Sequence, residues 1–200
     1  MDPIVLFDGY SKIENGNYYA NCSCVLIKGP PNVIVDTMTA WDGDKLVKAL
    51  NKESFAPDDI NYVVCTHGHS DHIGCNYLFQ KAIHIVGHSI SYKNKYEIDH
   101  DFKSSYEYII NDRIKVSPTP GHTLQDVSVI VNSSRGVTAI TGDLFEKFED
   151  LTDDNIWKEA GSDSEELQRI NRQKILILSD FIIPGHGPMF KVPQRFKNPG

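Results

Sequence analysis

The hexapeptide His67-Gly68-His69-Ser70-Asp71-His72 constrains this chain more than any other stretch, because it sets three imidazoles and a carboxylate within six residues. Desolvating so many ligand-type groups together is costly unless they share a cation. A loop with this spacing can aim His67 and His69 at one point and Asp71 and His72 at a neighbouring one. Zinc accepts imidazole nitrogen and carboxylate oxygen at about 2.0–2.2 Å in near-tetrahedral shells. Six residues cannot close two such shells, so the fold has to bring in further donors. The sequence offers His122, Asp143 and His186, each after a strand-like run and each beside glycine. Donors at successive strand ends converge on one edge of a sheet. His84, within a strand, and His88 and His100, in loops, are read as bystanders.

The rest of the pattern supplies those strands. Cys22–Lys28 and Val33–Asp36 read as a hairpin turned by Gly29-Pro30-Pro31-Asn32. Asp42 reads as the cap of a helix running to Lys52, and Tyr62–Cys65 as a buried strand leading into the hexapeptide. A helix is expected from there through Phe79, then a strand at Ile83–Val86. Ser89–Asn111 lacks periodicity and reads as loop or edge. Strands follow at Ile114–Ser117, Val127–Val131 and Val137–Thr141. Glu146–Asp154 is read as a solvated acidic stretch, Ser164 as the start of a helix towards Leu178, and Phe181–Ile183 as a last strand. The alternation of strands and helices is that of a layered α/β domain.

Composition sets limits on function. With 200 residues, 40% apolar and 24% charged, the expectation is one domain over 1–200 that needs no disulfides. Cys22, Cys24, Cys65 and Cys75 form no CxxC pair and read as reduced, buried thiols. The net charge of −7 argues against a general basic nucleic-acid binder. The N-terminal MDPIVLFDGYSK lacks the pattern of a signal peptide, and no apolar run approaches the roughly 20 residues of a membrane span. The expectation is a soluble, intracellular protein with no membrane partner.

HGHSDH, the TPGH ending at His122, the GD ending at Asp143 and the PGHG around His186 together resemble the metallo-β-lactamase superfamily. The resemblance implies a four-layer αββα sandwich with two mixed sheets, two Zn²⁺ per chain at one edge, and no separate C-terminal helical domain. It implies that His67, His69 and His122 hold the first metal, that Asp71, His72 and His186 hold the second, and that Asp143 bridges them. Asp36 matches the strand-end aspartate that supports the ligands. Thr37-Met38-Thr39 stands where that family has a glycine-rich turn.

VVCTHGHSDHIG, DVSVIV after TPGH, GDLFE and IIPGHGPMFKV are similar to a narrower branch of the superfamily. That resemblance implies a homodimeric zinc hydrolase of cytosol and nucleus, an endoribonuclease that cleaves histone-coding pre-mRNA at its 3′ end. Two metals sharing Asp143 would bring the pKa of a water from about 15.7 to near neutrality. Asp71, a ligand, is also placed to orient the proton of that nucleophile and is the expected catalytic residue. Lys93, Lys95 and Lys103, or Lys191, Arg195 and Lys197, are candidates for a basic RNA groove, with Tyr92, Tyr96, Tyr106 and Tyr108 as stacking surfaces. Two alternatives stay open. One is a thioesterase of the hydroxyacylglutathione hydrolase type acting on a small-molecule thioester. The other is a metal-stabilised interaction module without catalysis.

Overall fold

The computed structural model describes residues 2–104 and 106–197. The chain opens with β1 (Pro3–Phe7), a hairpin of β2 (Tyr10–Glu14) and β3 (Asn17–Asn21), then β4 (Cys24–Ile27) and β5 (Val33–Val35). Helix α1 (Gly43–Lys52), β6 (Tyr62–Cys65), the short α2 (Ser70–Ile73), β7 (Ile83–Val86), β8 (Ser89–Tyr92) and β9 (Lys95–Tyr96) complete the first half. The second half holds β10 (Tyr108–Ile109), β11 (Ile114–Pro118), β12 (Val127–Ser133) and β13 (Gly136–Gly142). It continues with α3 (Asp154–Glu159), α4 (Glu165–Leu178), β14 (Phe181–Pro184), β15 (Phe190–Lys191) and α5 (Gln194–Lys197).

Two mixed sheets result. One has the order β1-β4-β5-β6-β7-β8-β9 with β5, β6 and β7 mutually parallel; the other runs β10-β11-β12-β13-β14-β15 with only β13 and β14 parallel. Side-chain alternation then builds the layers, since successive residues of a strand face opposite sides. Val25, Ile27, Val33, Val35 and Val64 of the first sheet meet Val127, Val129, Val131, Ile140 and Ile183 of the second in the central core. The alternate residues of the same strands, Leu26, Ile34, Val63 and Cys65, turn outward onto Leu46 and Leu50 of α1. On the far side Ile130, Ala139 and Ile182 turn outward onto Ile175 and Leu176 of α4. The expected αββα order is therefore present, and the four cysteines are buried and free.

Three local expectations need correction. The helix expected after the hexapeptide begins within it, at Ser70, and is only four residues long, followed by a 3₁₀ turn at Asn76–Leu78. Its backbone is used elsewhere: Thr37 N donates to His72 O (2.8 Å) and Gly74 N to Met38 O (2.8 Å). Those bonds hold the 36–39 segment, in which Asp36 and Met38 take left-handed φ of 55° and 62°, angles a glycine would adopt without strain. Asp42 occupies the N-cap position of α1, its O accepting from Leu46 N (2.9 Å), but its side chain makes no capping bond; its carboxylate instead accepts from Thr39 N (3.2 Å), Thr39 Oγ1 (2.5 Å) and Asn21 Nδ2 (2.9 Å). The Glu146–Asp154 stretch is not solvated throughout, because Glu146 and Asp150 are buried. Ser164 does cap α4, accepting from Leu167 N. No helix among the described residues is long and apolar enough to cross a membrane.

Candidate metal centre

The parallel strands end at one edge, and the ligand-type residues sit directly beyond those ends. Asp36 follows β5, the hexapeptide follows β6, Asp143 follows β13 and His186 follows β14. β11 lies two antiparallel steps from β13, so it ends at the same edge, four residues ahead of His122. The two sheets are joined there by Val127 N donating to Thr66 O (2.9 Å). Gly142 makes the junction close: it sits at φ 51°, and a Cβ on it would overlap the Thr66 hydroxyl.

Seven side chains converge in the space between the strand ends. His67 Nε2 lies 2.9 Å from His69 Nδ1, which lies 3.1 Å from His122 Nε2. Asp143 Oδ2 is 3.6 Å from His67 Nε2, 3.4 Å from His122 Nε2 and 3.2 Å from His186 Nε2, and its Oδ1 is 3.2 Å from His72 Nε2. Asp71 Oδ2 stands 3.9 Å from both His72 Nε2 and His186 Nε2. The donors thus fall into one group of His67, His69, His122 and Asp143 and another of Asp71, His72 and His186, with Asp143 between them. All seven side chains that the resemblance assigns to metals lie in this cluster.

The opposite ring nitrogens are committed. His72 Nδ1 donates to Asp36 Oδ2 (2.9 Å), His122 Nδ1 to Gly161 O (2.7 Å) and His186 Nδ1 to Asn21 O (3.1 Å). Each bond fixes the tautomer and turns a lone pair on Nε2 towards the centre, as an outer partner does for a metal-binding histidine. Asp36 is in turn held by Thr66 N (2.7 Å).

The centre fits a pair of cations. Asp71 Oδ2, His72 Nε2 and Asp143 Oδ1 are buried without a hydrogen-bond partner, an expensive condition unless an ion meets them. Ligand nitrogens around a tetrahedral zinc stand about 3.3 Å apart, given Zn–N near 2.0–2.1 Å, close to the spacing of the His67, His69 and His122 nitrogens. Charge follows the same division. Burial, reinforced by surrounding imidazoles, holds His67 well below the usual histidine range, and burial with His122 lowers His69. At His72 burial is outweighed by the Asp143 and Asp36 carboxylates, which push it well above that range, and at His186 Asp143 overcomes burial to push it up to about 9. Against its burial, Asp143 is held well below the usual carboxylate range by His72, His186 and His67.

Other residues fall elsewhere. His84 donates to Phe79 O, and His88 and His100 pack against Phe102, so none of the three joins the centre. β8 runs antiparallel to β7, so the Tyr92–Lys95 turn lies at the end of the sheet opposite His67. Lys191 pairs in register with Phe181 at the start of β14, and Lys197 forms an ion pair with Asp180, so these cations also sit away from the metal edge. Tyr108 packs edge-on against Tyr62. Lys103 alone approaches the edge side, in a cavity shared with Thr119 and Pro120. A residue the sequence reading missed is Glu146, 1% exposed, whose carboxylate comes within reach of Asp143 and His186. Burial and Asp143 push it up to about 8. Its place three residues after Asp143, in the turn closed by Phe145 N donating to Gly142 O, was the available signal. Beside it lies a cavity of about 410 Å³ walled by Lys12, Ile13 and Tyr18 of the hairpin and by Lys147 and Ile156.

A two-sheet sandwich with this donor set at one edge defines a class of metallo-hydrolases, and the chain belongs to the metallo-β-lactamase superfamily, whose family model matches residues 18–186. Among proteins of known name, it is similar to metallo-beta-lactamase domain-containing protein 1 of Xenopus laevis, 41% identical over 94% of this chain and 80% of that one. It is also 38% identical to the rat protein of the same name, over 84% of this chain and 66% of the relative, just under two thirds of its length. A metallo-β-lactamase-like crystal structure from Thermotoga maritima superposes with a TM-score of 0.69 at 23% identity, covering 95% of this chain and 98% of the other, which shows the shared fold.

Proposed function

We propose that this chain is a dinuclear zinc hydrolase whose substrate is RNA, acting as an endoribonuclease on histone-coding pre-mRNA at its 3′ end. The observation that carries the hydrolase reading is the convergence of seven donor side chains on Asp143, with orphaned donor atoms facing one another. His67, His69, His122 and Asp143 would hold one Zn²⁺, and Asp71, His72, His186 and Asp143 the other. When bound, the pair supplies an acidified water nucleophile and positive charge for the developing oxyanion and leaving group.

The chain's own residues do the rest. Asp71 is 18% exposed at its side chain, so it reaches both the centre and the space above it. Its carboxylate accepts a hydrogen bond from the attacking water and orients it. Asp36, Gly161 O and Asn21 O hold three imidazoles in fixed tautomers, so no reorganisation accompanies the charge change. In-line attack of the water oxygen on phosphorus forms one P–O bond and breaks that to the 3′ oxygen, which takes up a proton from solvent, leaving a 3′-hydroxyl and a 5′-phosphate.

The RNA half of the reading rests on the narrower sequence resemblance, and the cavity beside the centre supports it. Lys147 offers a cation for phosphate and Tyr18 an aromatic face for a base, the two grips that single-stranded nucleic acid uses, whereas Lys12 is paired with Glu14 (2.6 Å) and Glu146 and Glu159 line the same cavity. Lys147 stands at this opening, whereas Lys93, Lys95 and Lys191 lie at the opposite end of the strands. The competing thioesterase reading uses the same centre, since a nucleophile held there attacks a carbonyl carbon equally well.

The deciding assay offers labelled single-stranded RNA carrying a histone 3′ processing site, and separately an acyl-glutathione thioester, to the metal-loaded protein and to Asp143→Ala. RNA cleavage that is lost in the variant is the expected result. Thioester turnover without RNA cleavage would transfer the assignment to the thioesterase.

A further inference from the structure

The carboxylate of Glu146 is out of place if the centre has only seven donors. The side chain is 1% exposed, and its Oε1 is buried without a hydrogen-bond partner. Its backbone is fully used, with N donating to Asp150 Oδ2 (2.7 Å) and O accepting from His186 N (2.9 Å). That fixes where the side chain starts, and one of its oxygens comes within 4.8 Å of donor atoms of both Asp143 and His186. The nearby arginine does not compensate it. Arg172 spends its guanidinium on Leu144 O (2.8 Å), on Asp150 O (2.9 Å) and on both Asp150 oxygens (3.1 and 3.0 Å). Among the described residues no lysine or arginine forms an ion pair with Glu146. A carboxyl buried in this way either keeps its proton or meets a cation, and its ionised form is stable here only against a cation.

We propose that Glu146 is an additional oxygen donor to the metal held on the His72 and His186 side, resting on the dinuclear reading above. The two halves of the centre then differ in kind. One side offers three imidazoles and the shared Asp143, a nitrogen-rich set that suits zinc. The other offers two imidazoles and, with Asp71, Asp143 and Glu146, three carboxylates. Carboxylate oxygens favour harder divalent ions such as Mn²⁺ relative to a purely imidazole set. The second site therefore tolerates Mn²⁺ where the first does not, and Glu146 sets that difference. Glu146 also lines the cavity shared with Tyr18 and Lys147, so that opening borders the His186 side of the centre.

The test titrates metal-stripped protein with Zn²⁺ and with Mn²⁺ in competition with a chromophoric chelator, for the natural sequence, Glu146→Gln and Glu146→Asp. Glutamine keeps the backbone bonds and the shape while removing the charge, so a merely structural role leaves all affinities unchanged. The expected result is two equivalents of Zn²⁺ in the natural protein. In Glu146→Gln the tighter equivalent is unchanged and the weaker one loses at least tenfold in affinity, with Mn²⁺ binding abolished, while Glu146→Asp recovers part of both. Cobalt substitution gives a second readout, since loss of a donor at one site alters its visible absorption without any turnover being measured. Equal affinities and an unchanged cobalt spectrum in Glu146→Gln would overturn the assignment and leave the dinuclear reading standing. Fewer than two equivalents in the natural protein would overturn both.

Discussion

His72 Nδ1 donates to Asp36 Oδ2 across 2.9 Å, between two side chains that are almost completely buried, and the opposite nitrogen of the same ring lies 3.2 Å from Asp143 Oδ1. The ring is thereby suspended between an outer and an inner carboxylate. Asp36 determines which nitrogen carries the proton, and Thr66 N determines how Asp36 is turned. Replacing Asp36 by Asn keeps the volume but removes the charge that makes Nδ1 a donor. Outer partners of this sort are worth about 10–100-fold in metal affinity. We expect Asp36→Asn to weaken the metal equivalent on the His72 side by that factor and to leave the His67, His69 and His122 side nearly unaltered. Chelator competition resolves the two, and a uniform loss at both would contradict the division.

Proton release should differ between the two equivalents. In the metal-free protein His67 and His69 are held low and so are neutral at pH 7, whereas His72 is held well above its usual range and His186 up to about 9. A metal binds only neutral imidazole. The side with His72 and His186, which also takes Glu146 with its carboxyl pushed up to about 8, must therefore discharge roughly three protons on loading at pH 7, and its affinity climbs with pH until His186 has titrated near 9. The linkage sign for folding is the reverse: both histidines have raised folded pKa values, so their contribution to metal-free stability is complete below about 6.5 and is lost as pH rises towards 9. Calorimetry in buffers of different ionisation enthalpy measures the protons directly. Equal release for both equivalents would contradict the charge assignment.

Metal removal should destabilise the fold, because ions that bind only the folded chain stabilise it by mass action. At free zinc about a thousandfold above its dissociation constant the gain is about 4 kcal/mol. Stripping with a chelator should lower the thermal midpoint, and zinc should restore it. In His122→Ala the restoration should be only partial, since one of the three imidazoles on that side is gone while the His72 and His186 side remains. An unchanged midpoint on stripping the natural protein would speak against tight binding.

Much of the centre was legible before any coordinates, for a physical reason. A metal site needs specific donor types, and His67, His69, Asp71, His72, His122, Asp143 and His186 announce themselves by type, five of them also by a glycine neighbour. The supporting shell was less legible because it is made of ordinary groups: Gly161 O and Asn21 O are backbone carbonyls, which any residue could provide. Glu146 was misread as solvent-facing because the acidic run around it is local, whereas its burial is imposed by distant elements, α4 through Arg172 and the hairpin through Tyr18. The basic residues could not be placed from sequence for a similar reason: lysines are visible there, but which end of a strand they occupy depends on register.

Gly185 tests how tightly the centre is packed. A Cβ on it would overlap the Asp143 carboxylate and approach the Gly142 carbonyl carbon to 3.0 Å. The backbone of Gly185 is itself anchored, donating to Gly142 O and Phe145 O at 2.9 Å each. Asp143 is the movable partner and would be displaced from between the two groups of donors. Gly185→Ala should therefore stay folded by circular dichroism yet retain less than one equivalent of metal and lose activity at least tenfold. Full metal content in this variant would show that the shared carboxylate is not needed where the structure puts it.

Arg172 supports the same centre from the helix side. Its guanidinium bonds both oxygens of the fully buried Asp150 and stacks over Phe145, with the ring centroid 4.2 Å away. Asp150 in turn accepts from Glu146 N, so the pair secures the turn that carries Asp143 and Glu146. Removing one member of a buried pair leaves the other charge uncompensated, at a cost of about 3–5 kcal/mol. Arg172→Met should lose about that much in urea unfolding. The double variant Arg172→Met with Asp150→Asn should recover part of the loss, since no naked carboxylate remains. If the double variant were as unstable as the sum of its parts, the bonds of Arg172 to Leu144 O and the stacking on Phe145, rather than the charge pair, would be what holds the turn.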